Sequence, residues 1–324
     1  MCGPEIVNQE TATAIAAAAA RFRQVTESPF GPDDQIGMLN LMTPESMRSV
    51  VSRADAGHTL DLSVDFFMGM PSFTAAGQPS YQISMTNTPR GTVLDDAPGV
   101  GREQNELVSY SGDAITMYTH CGTHFDSLNH FGYRSRIWNG YDADEYLGSR
   151  HWTVCGAEQS PPIIARGVLL DVAALHGVDV LPASYGIGAQ ELRDAARHQG
   201  VELRTGDVAL VRTGQMSLWP EPAFADNEPG LTREGAEFLA RAGAIVVGAD
   251  NLALEQIPST EEGNWLPVHT YLMAEAGVPL LEVVDLQQLS EEKLYEFCFI
   301  GACLRLRGAT GAPLRPMAMP FRSR

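Results

Sequence analysis

Residues 120–130, His-Cys-Gly-Thr-His-Phe-Asp-Ser-Leu-Asn-His, hold three of the chain's eight histidines and an aspartate. In an extended segment side chains alternate between faces, so His124 and Asp126, two apart, project to the same side. His120 joins them if the backbone turns at Gly122, whose missing Cβ opens dihedrals closed to other residues. Two imidazoles and a carboxylate converging on one point suit a borderline divalent cation such as zinc or manganese. His130, four beyond Asp126, is close enough to serve the site without ligating. Its imidazole titrates near neutral pH, which fits it to carry a proton as the catalytic acid or base. A lone histidine is an ordinary surface or core residue; four such groups in one stretch have the composition of a metal site. Cys121 points away from His120 in extended chain and reads as packing.

Such a metal centre calls for further ligands from elsewhere in the chain. Beyond residue 200 the chain has one histidine, His269, and the apolar run 278–286 carries two acids, Glu282 and Asp285. A carboxylate is costly to bury unpaired in such a run, and coordination is one way to satisfy it. His58, His151, His176 and His198 have no comparable surroundings.

The pattern His120-x-Gly122-Thr123-His124-x-Asp126-x-x-x-His130 resembles the signature of the cyclase family of metal-dependent hydrolases, which includes kynurenine formamidases, isatin hydrolases and a trans-dienelactone hydrolase. Where that family usually reads Asp-Ala-Pro-x-His, this chain reads Asp126-Ser127-Leu128-Asn129-His130. The departure bears on the substrate side of the loop, because every metal-binding letter is retained. The resemblance favours Glu282 over Asp285 and adds His269 and Glu282 to the ligands His120, His124 and Asp126, around one ion or two. It implies an α/β fold of the swivelling β/β/α kind, with a β-barrel-like core surrounded by helices. It also implies hydrolysis of a small amide, cyclic amide or lactone, and a homodimer or homotetramer. A cyclase or dehydratase of secondary metabolism on the same site, and a metal-binding protein without turnover, remain open. In the resembled family the loop equivalent to 66–79 walls the substrate pocket, which makes Phe73 and Tyr81 the expected aromatic contacts.

These residues need a scaffold. Thr43-Pro44-Glu45 opens a capped helix after a turn-rich loop at 29–43, and Ala16–Phe22 reads as another helix. Strands are expected at Thr59–Val64 and Tyr81–Thr88, a polar loop at Asp95–Gln104, and an apolar lead-in at Ala114–Tyr118 that delivers His120 from a strand end. Residues 131–141, aromatic and glycine-bearing, make either a pocket rim or a packed surface loop. From 163 onward strands (163–172, 207–212, 244–248) alternate with helices (190–198, 232–242), an α/β layering. No repeat or linker divides the 324 residues, so they read as one domain, 1–324, with 1–50 as an N-terminal extension.

Composition narrows the partners. A net charge of −18 with only 22 Lys and Arg argues against a nucleic-acid surface and for a small-molecule substrate. The alanine run at 16–20 is too short to span a bilayer and has no basic segment before it, so neither membrane nor signal peptide is expected. Five cysteines at 2, 121, 155, 298 and 303, with no C-x-x-C, read as reduced thiols of a cytoplasmic chain.

Overall fold

The computed structural model describes residues 25–322; the helix expected at Ala16–Phe22 lies outside them. The described strands, in chain order, begin with β1 (Leu60–Asp61), β2 (Gln82–Asn87), β3 (Gly112–Thr116), β4 (His124–Asp126), β5 (Ile163–Asp171), β6 (Gly186–Ile187) and β7 (Val208–Arg212). They continue with β8 (Gly230–Leu231), β9 (Val246–Ala249), β10 (Leu280–Glu282), β11 (Glu296–Gly301), β12 (Gly311–Pro313) and β13 (Met317–Pro320). Nine of them form a curled sheet in the order β1-β13-β11-β5-β7-β9-β10-β4-β12.

The middle of this sheet, β5-β7-β9-β10, is parallel. Parallel strands covered on both faces read as continuous apolar runs, which is what Val-Leu-Leu and Val-Ala-Leu-Val are. Alternation then sorts their side chains between two cores. Val168, Leu170, Ala209, Val211 and Val247 join the core that also takes Leu192 and Ala195 of helix Ala189–Gln199 and Ala236 and Leu239 of helix Arg233–Arg241. Leu169, Val208, Leu210 and Val246 face the opposite core with Phe297 and Phe299 of β11. The expected α/β layering is therefore present, with β11 and β13 extending the sheet antiparallel beyond β5.

Local signals account for the helix starts. Thr43 caps helix Pro44–Arg53 by accepting from Ser46 N at 3.1 Å, with Pro44 in the first turn. Thr232 caps Arg233–Arg241 through Gly235 N at 3.3 Å. The 29–43 loop is tied down by residues beyond the motif: Asn139 Nδ2 donates to the Gly31 carbonyl at 3.1 Å, and Trp138 Nε1 donates to Asp34 at 2.9 Å.

Two expectations need correction. The strand expected at Thr59–Val64 pairs only over Leu60–Asp61, because Val64 N leaves the ladder and donates to the Thr123 hydroxyl at 2.9 Å. The polar loop expected at Asp95–Gln104 instead lies between and partly within two short helices, Pro89–Asp95 and Arg102–Leu107. Thr88, accepting from Gly91 N at 3.0 Å, with Pro89 after it, is the cap-and-proline start that a reading for polarity passes over.

Gly167, in the middle of β5, meets the Phe297 ring so closely that an added Cβ would lie 2.1 Å from it. Gly167→Ala should therefore lower stability by about 1–3 kcal/mol in urea unfolding. An unchanged midpoint would mean that this contact relaxes freely.

Candidate metal centre

The sheet register builds the site. Strand β4 lies between β10 and β12, with His124 opposite Glu282 on one side and Pro313 on the other. Directly paired residues share a face, so His124 and Glu282 are cross-strand neighbours, and Asp126 joins them two residues along. Phe125, between them in sequence, points to the opposite core. The turn expected at Gly122 is present: its φ is +57°, and the Phe66 ring packs where a Cβ would be, 2.6 Å away. That turn brings His120 back over the strand. Gly311 of β12 leaves room for its ring, since a Cβ there would sit 2.6 Å from His120 Cε1.

The other half arrives from the C-terminal third of the chain. His269 ends the short helix Pro267–His269, which continues into the π-helical stretch Thr270–Glu275. Glu282 ends β10. All five groups are at most 5% exposed. His120 Nδ1 is 2.6 Å from Asp126 Oδ1, and His124 Nε2 is 3.2 Å from the same oxygen and 3.0 Å from Glu282 Oε2. His269 Nε2 is 3.3 Å from Glu282 Oε1 and 3.8 Å from Asp126 Oδ2. Two groups of metal-binding geometry result, His120/His124/Asp126 and Asp126/His269/Glu282, sharing Asp126. Asp285 stands apart, with its side chain turned to Gln287 N at 3.0 Å.

Three buried atoms of this cluster, His124 Nε2, Asp126 Oδ2 and Glu282 Oε1, have no hydrogen-bond partner. Buried polar atoms are rarely left so, and all three belong to these two groups. A divalent cation with nitrogen and oxygen ligands fits that donor set. Electrostatics agree. Burial opposes a charge on His124, yet the Asp126 and Glu282 carboxylates push its pKa up to about 10. Asp126 is likewise held well below the usual carboxylate range, against burial, by the His120, His124 and His130 imidazoles. The two carboxylates that raise His124 are the same ones that would draw a cation.

His130 differs from the five. Its ring stacks on His120 at 3.8 Å between centroids, and burial, then the neighbouring His120, pushes its pKa well below 6.5. It is a neutral imidazole beside the cluster. Phe131 packs on His269 at 4.8 Å and on Trp265 at 6.0 Å, and Trp265 is 66% exposed, so this end of the 131–141 connection forms a rim. Its other end is packed, with Trp138 fully buried. Phe73 and Tyr81 are less directly placed. Ser72 bridges to Cys121, which lays the 66–79 loop along the motif, but Phe73 remains 38% exposed and Tyr81 is buried behind Phe66.

Sequence reasoning passed over several groups. Tyr118, treated as part of an apolar lead-in, stacks near His120, its phenol kept protonated up to about 12 by burial and by Asp126 and Glu282. Thr310 reaches His120 Nε2 at 2.8 Å, the Gly122 carbonyl lies 2.9 Å from His124 Nδ1, and Glu255 lies 2.6 Å from His269 Nδ1. A backbone carbonyl has no signature in sequence. Glu255 carried one, a lone acid after the apolar Leu252-Ala253-Leu254.

Curled sheet, helical cover and buried imidazole–carboxylate pocket together define an α/β protein built around a divalent-cation site. Residues 60–256 match the family described as putative cyclase, and the chain belongs to it. The kynurenine formamidase of Bacillus cytotoxicus is 26% identical over 242 residues, which is 75% of this chain and 88% of that protein. The crystal structure of a novel cyclase superposes with a TM-score of 0.80 at 27% identity, over 92% of this chain and 100% of that one. Isatin hydrolase A of Ralstonia solanacearum shares the fold, with a TM-score of 0.61 at 18% identity over 81% of this chain and 92% of that one. The family match includes His120, His124, Asp126 and His130 and ends before His269 and Glu282.

In metal-free protein, the His124 imidazole should hold its proton until about pH 10, and the ion pair's contribution to stability should be lost as pH rises through that value. Asp126→Asn should bring the titration down towards the ordinary 6.5. Histidine-resolved NMR titration reads both; a wild-type midpoint near 6.5 would contradict a cation-seeking pocket.

Proposed function

We propose that this chain is a metal-dependent hydrolase of a small amide, cyclic amide or lactone. The observation that carries the reading is that three buried atoms without a hydrogen-bond partner, on His124, Asp126 and Glu282, belong to two groups of potential ligands that share Asp126. Membership of the family, and the likeness to a kynurenine formamidase, support hydrolysis of a carbon–nitrogen bond.

His120, His124, Asp126, His269 and Glu282 are the proposed ligands, for zinc or manganese. The bound ion would acidify a water and polarise the substrate carbonyl. Asp126 turns one oxygen to His120 and His124 and the other towards His269, so it would be shared between the two groups if two ions were held. His130, neutral and free of hydrogen bonds to other side chains among the described residues, takes the proton from the attacking water. It then returns that proton to the leaving nitrogen or oxygen. Tyr118, a protonated phenol beside the cluster, is placed to donate to a substrate oxygen. The aromatic faces of Phe131 and Trp265 at the rim favour a flat ring, as in an aryl formamide or an isatin-like cyclic amide. Phe73 and Tyr81 are the further contacts proposed on the opposite side.

A homodimer or homotetramer is the proposed assembly. The β2–β3 hairpin, which exposes Ile83, Met85 and Ile115, supports it, since a two-stranded ribbon is marginal alone. A cytoplasmic setting is proposed from the unpaired thiols Cys121, Cys155, Cys298 and Cys303.

Elemental mass spectrometry of the purified protein should find near-stoichiometric zinc or manganese, lost in His124→Ala and at least halved in Glu282→Ala. Among aryl formamides, cyclic amides and lactones, at least one should be opened with uptake of water. His130→Gln should keep the metal while kcat falls by about 10²–10⁴. No metal after reconstitution would sink the mechanism, and net ring closure without water uptake would replace hydrolysis with cyclisation.

A further inference from the structure

Glu255 is 1% exposed, and its carboxylate grips His269 from behind. Glu255 Oε1 accepts from His269 N at 3.0 Å and lies 2.6 Å from the ring Nδ1, while Oε2 accepts from Val268 N at 3.1 Å. One acid therefore holds both the imidazole and the backbone that carries it. The ring cannot rotate without breaking a charged hydrogen bond, and the carboxylate cannot follow it without leaving two backbone donors unsatisfied.

The consequence concerns the other edge of the ring. A neutral imidazole has one N–H, so donation from Nδ1 to Glu255 leaves the lone pair on Nε2. That nitrogen faces Glu282 Oε1 at 3.3 Å and Asp126 Oδ2 at 3.8 Å, the inner side of the pocket. The backing of the other two imidazoles is uncharged, a threonine hydroxyl behind His120 and a backbone carbonyl behind His124. His269 alone of the three has an anion behind it, and an anion both fixes the tautomer and makes the ligating nitrogen more basic.

Resting on the metal-site reading above, we propose that Glu255 is a positioning residue of the centre, which selects the Nε2-ligating tautomer of His269 and strengthens its hold on the ion. Glu255→Gln keeps the size of the side chain and one acceptor, but loses the charge and sets an amide N–H2 against one of three N–H donors.

The test uses the full chain with zinc, and with cobalt as a visible probe. Chelator competition should show Glu255→Gln binding zinc about 10–100-fold more weakly than wild type, with the cobalt absorption bands shifted. In a His269→Ala background the same substitution should change neither readout. Wild-type-like zinc affinity in Glu255→Gln, with only a lowered Tm, would overturn the proposal and leave Glu255 as a cap of the 267–269 turn. The tautomer can be read without any variant: nitrogen NMR of zinc-loaded wild type should show His269 protonated at Nδ1 alone, and a proton on Nε2 would overturn the proposal. Failure of the wild type to bind zinc or cobalt at all would instead remove the metal reading on which this rests.

Discussion

Charge removed from water must be answered by charge. The pocket gathers Asp126 and Glu282 with His120, His124 and His269, all nearly inaccessible to solvent. Isolated carboxylates in such surroundings would take up protons or open the fold. Here Asp126 is held well below the usual carboxylate range by the imidazoles against it, and two such acids in one buried cluster suit one more positive charge. Much of the local structure serves that arrangement. Gly122 turns so that His120 can return, Gly311 gives up a side chain so that its ring can lie flat, and Thr310, the Gly122 carbonyl and Glu255 take the outward nitrogens.

The strand pairing is what assembles these groups. β4 is short, yet it has a hydrogen-bonded neighbour on each side, so His124 and Asp126 are held by backbone ladders as well as by their own contacts. Thr123 adds a third tie, donating to the Val283 carbonyl at 2.7 Å and accepting from Val64 N. A group on a strand paired on both sides is positioned more tightly than one on a loop. His130, just past the strand, has no such ladder and no side-chain hydrogen bond among the described residues, as suits the proton-transfer role proposed for it.

The sequence made the near half of this site legible and the far half much less so. Alternation along His124-Phe125-Asp126 and the freedom of Gly122 are local properties, and both are found as expected. The pairing of β10 with β4 is non-local, and no periodicity encodes it; Glu282 could be preferred to Asp285 only through the family pattern. The alternation of strands and helices after residue 163 was equally plain, because each segment there carries its own hydrophobic period. The antiparallel extension by β11 and β13, and the early exit of Val64 from its strand, depend on partners elsewhere in the chain. The helices around 89–107 were hidden for another reason, since their few apolar positions are mostly exposed and leave only the Thr88-Pro89 start to betray them.

The division of the proposed ligands between residues 120–126 and 269–282 bears on folding. An unfolded chain offers an ion two imidazoles and a carboxylate at one place and a histidine and a glutamate far away, so its grip is loose and its loop-closure penalty large. Only with the parallel layer formed and β10 paired beside β4 are all five groups brought together. An ion held by all five would need the folded pocket, and by linkage its binding free energy would add to the stability of the fold. Scarcity of the ion would then be felt first as a shorter-lived fold.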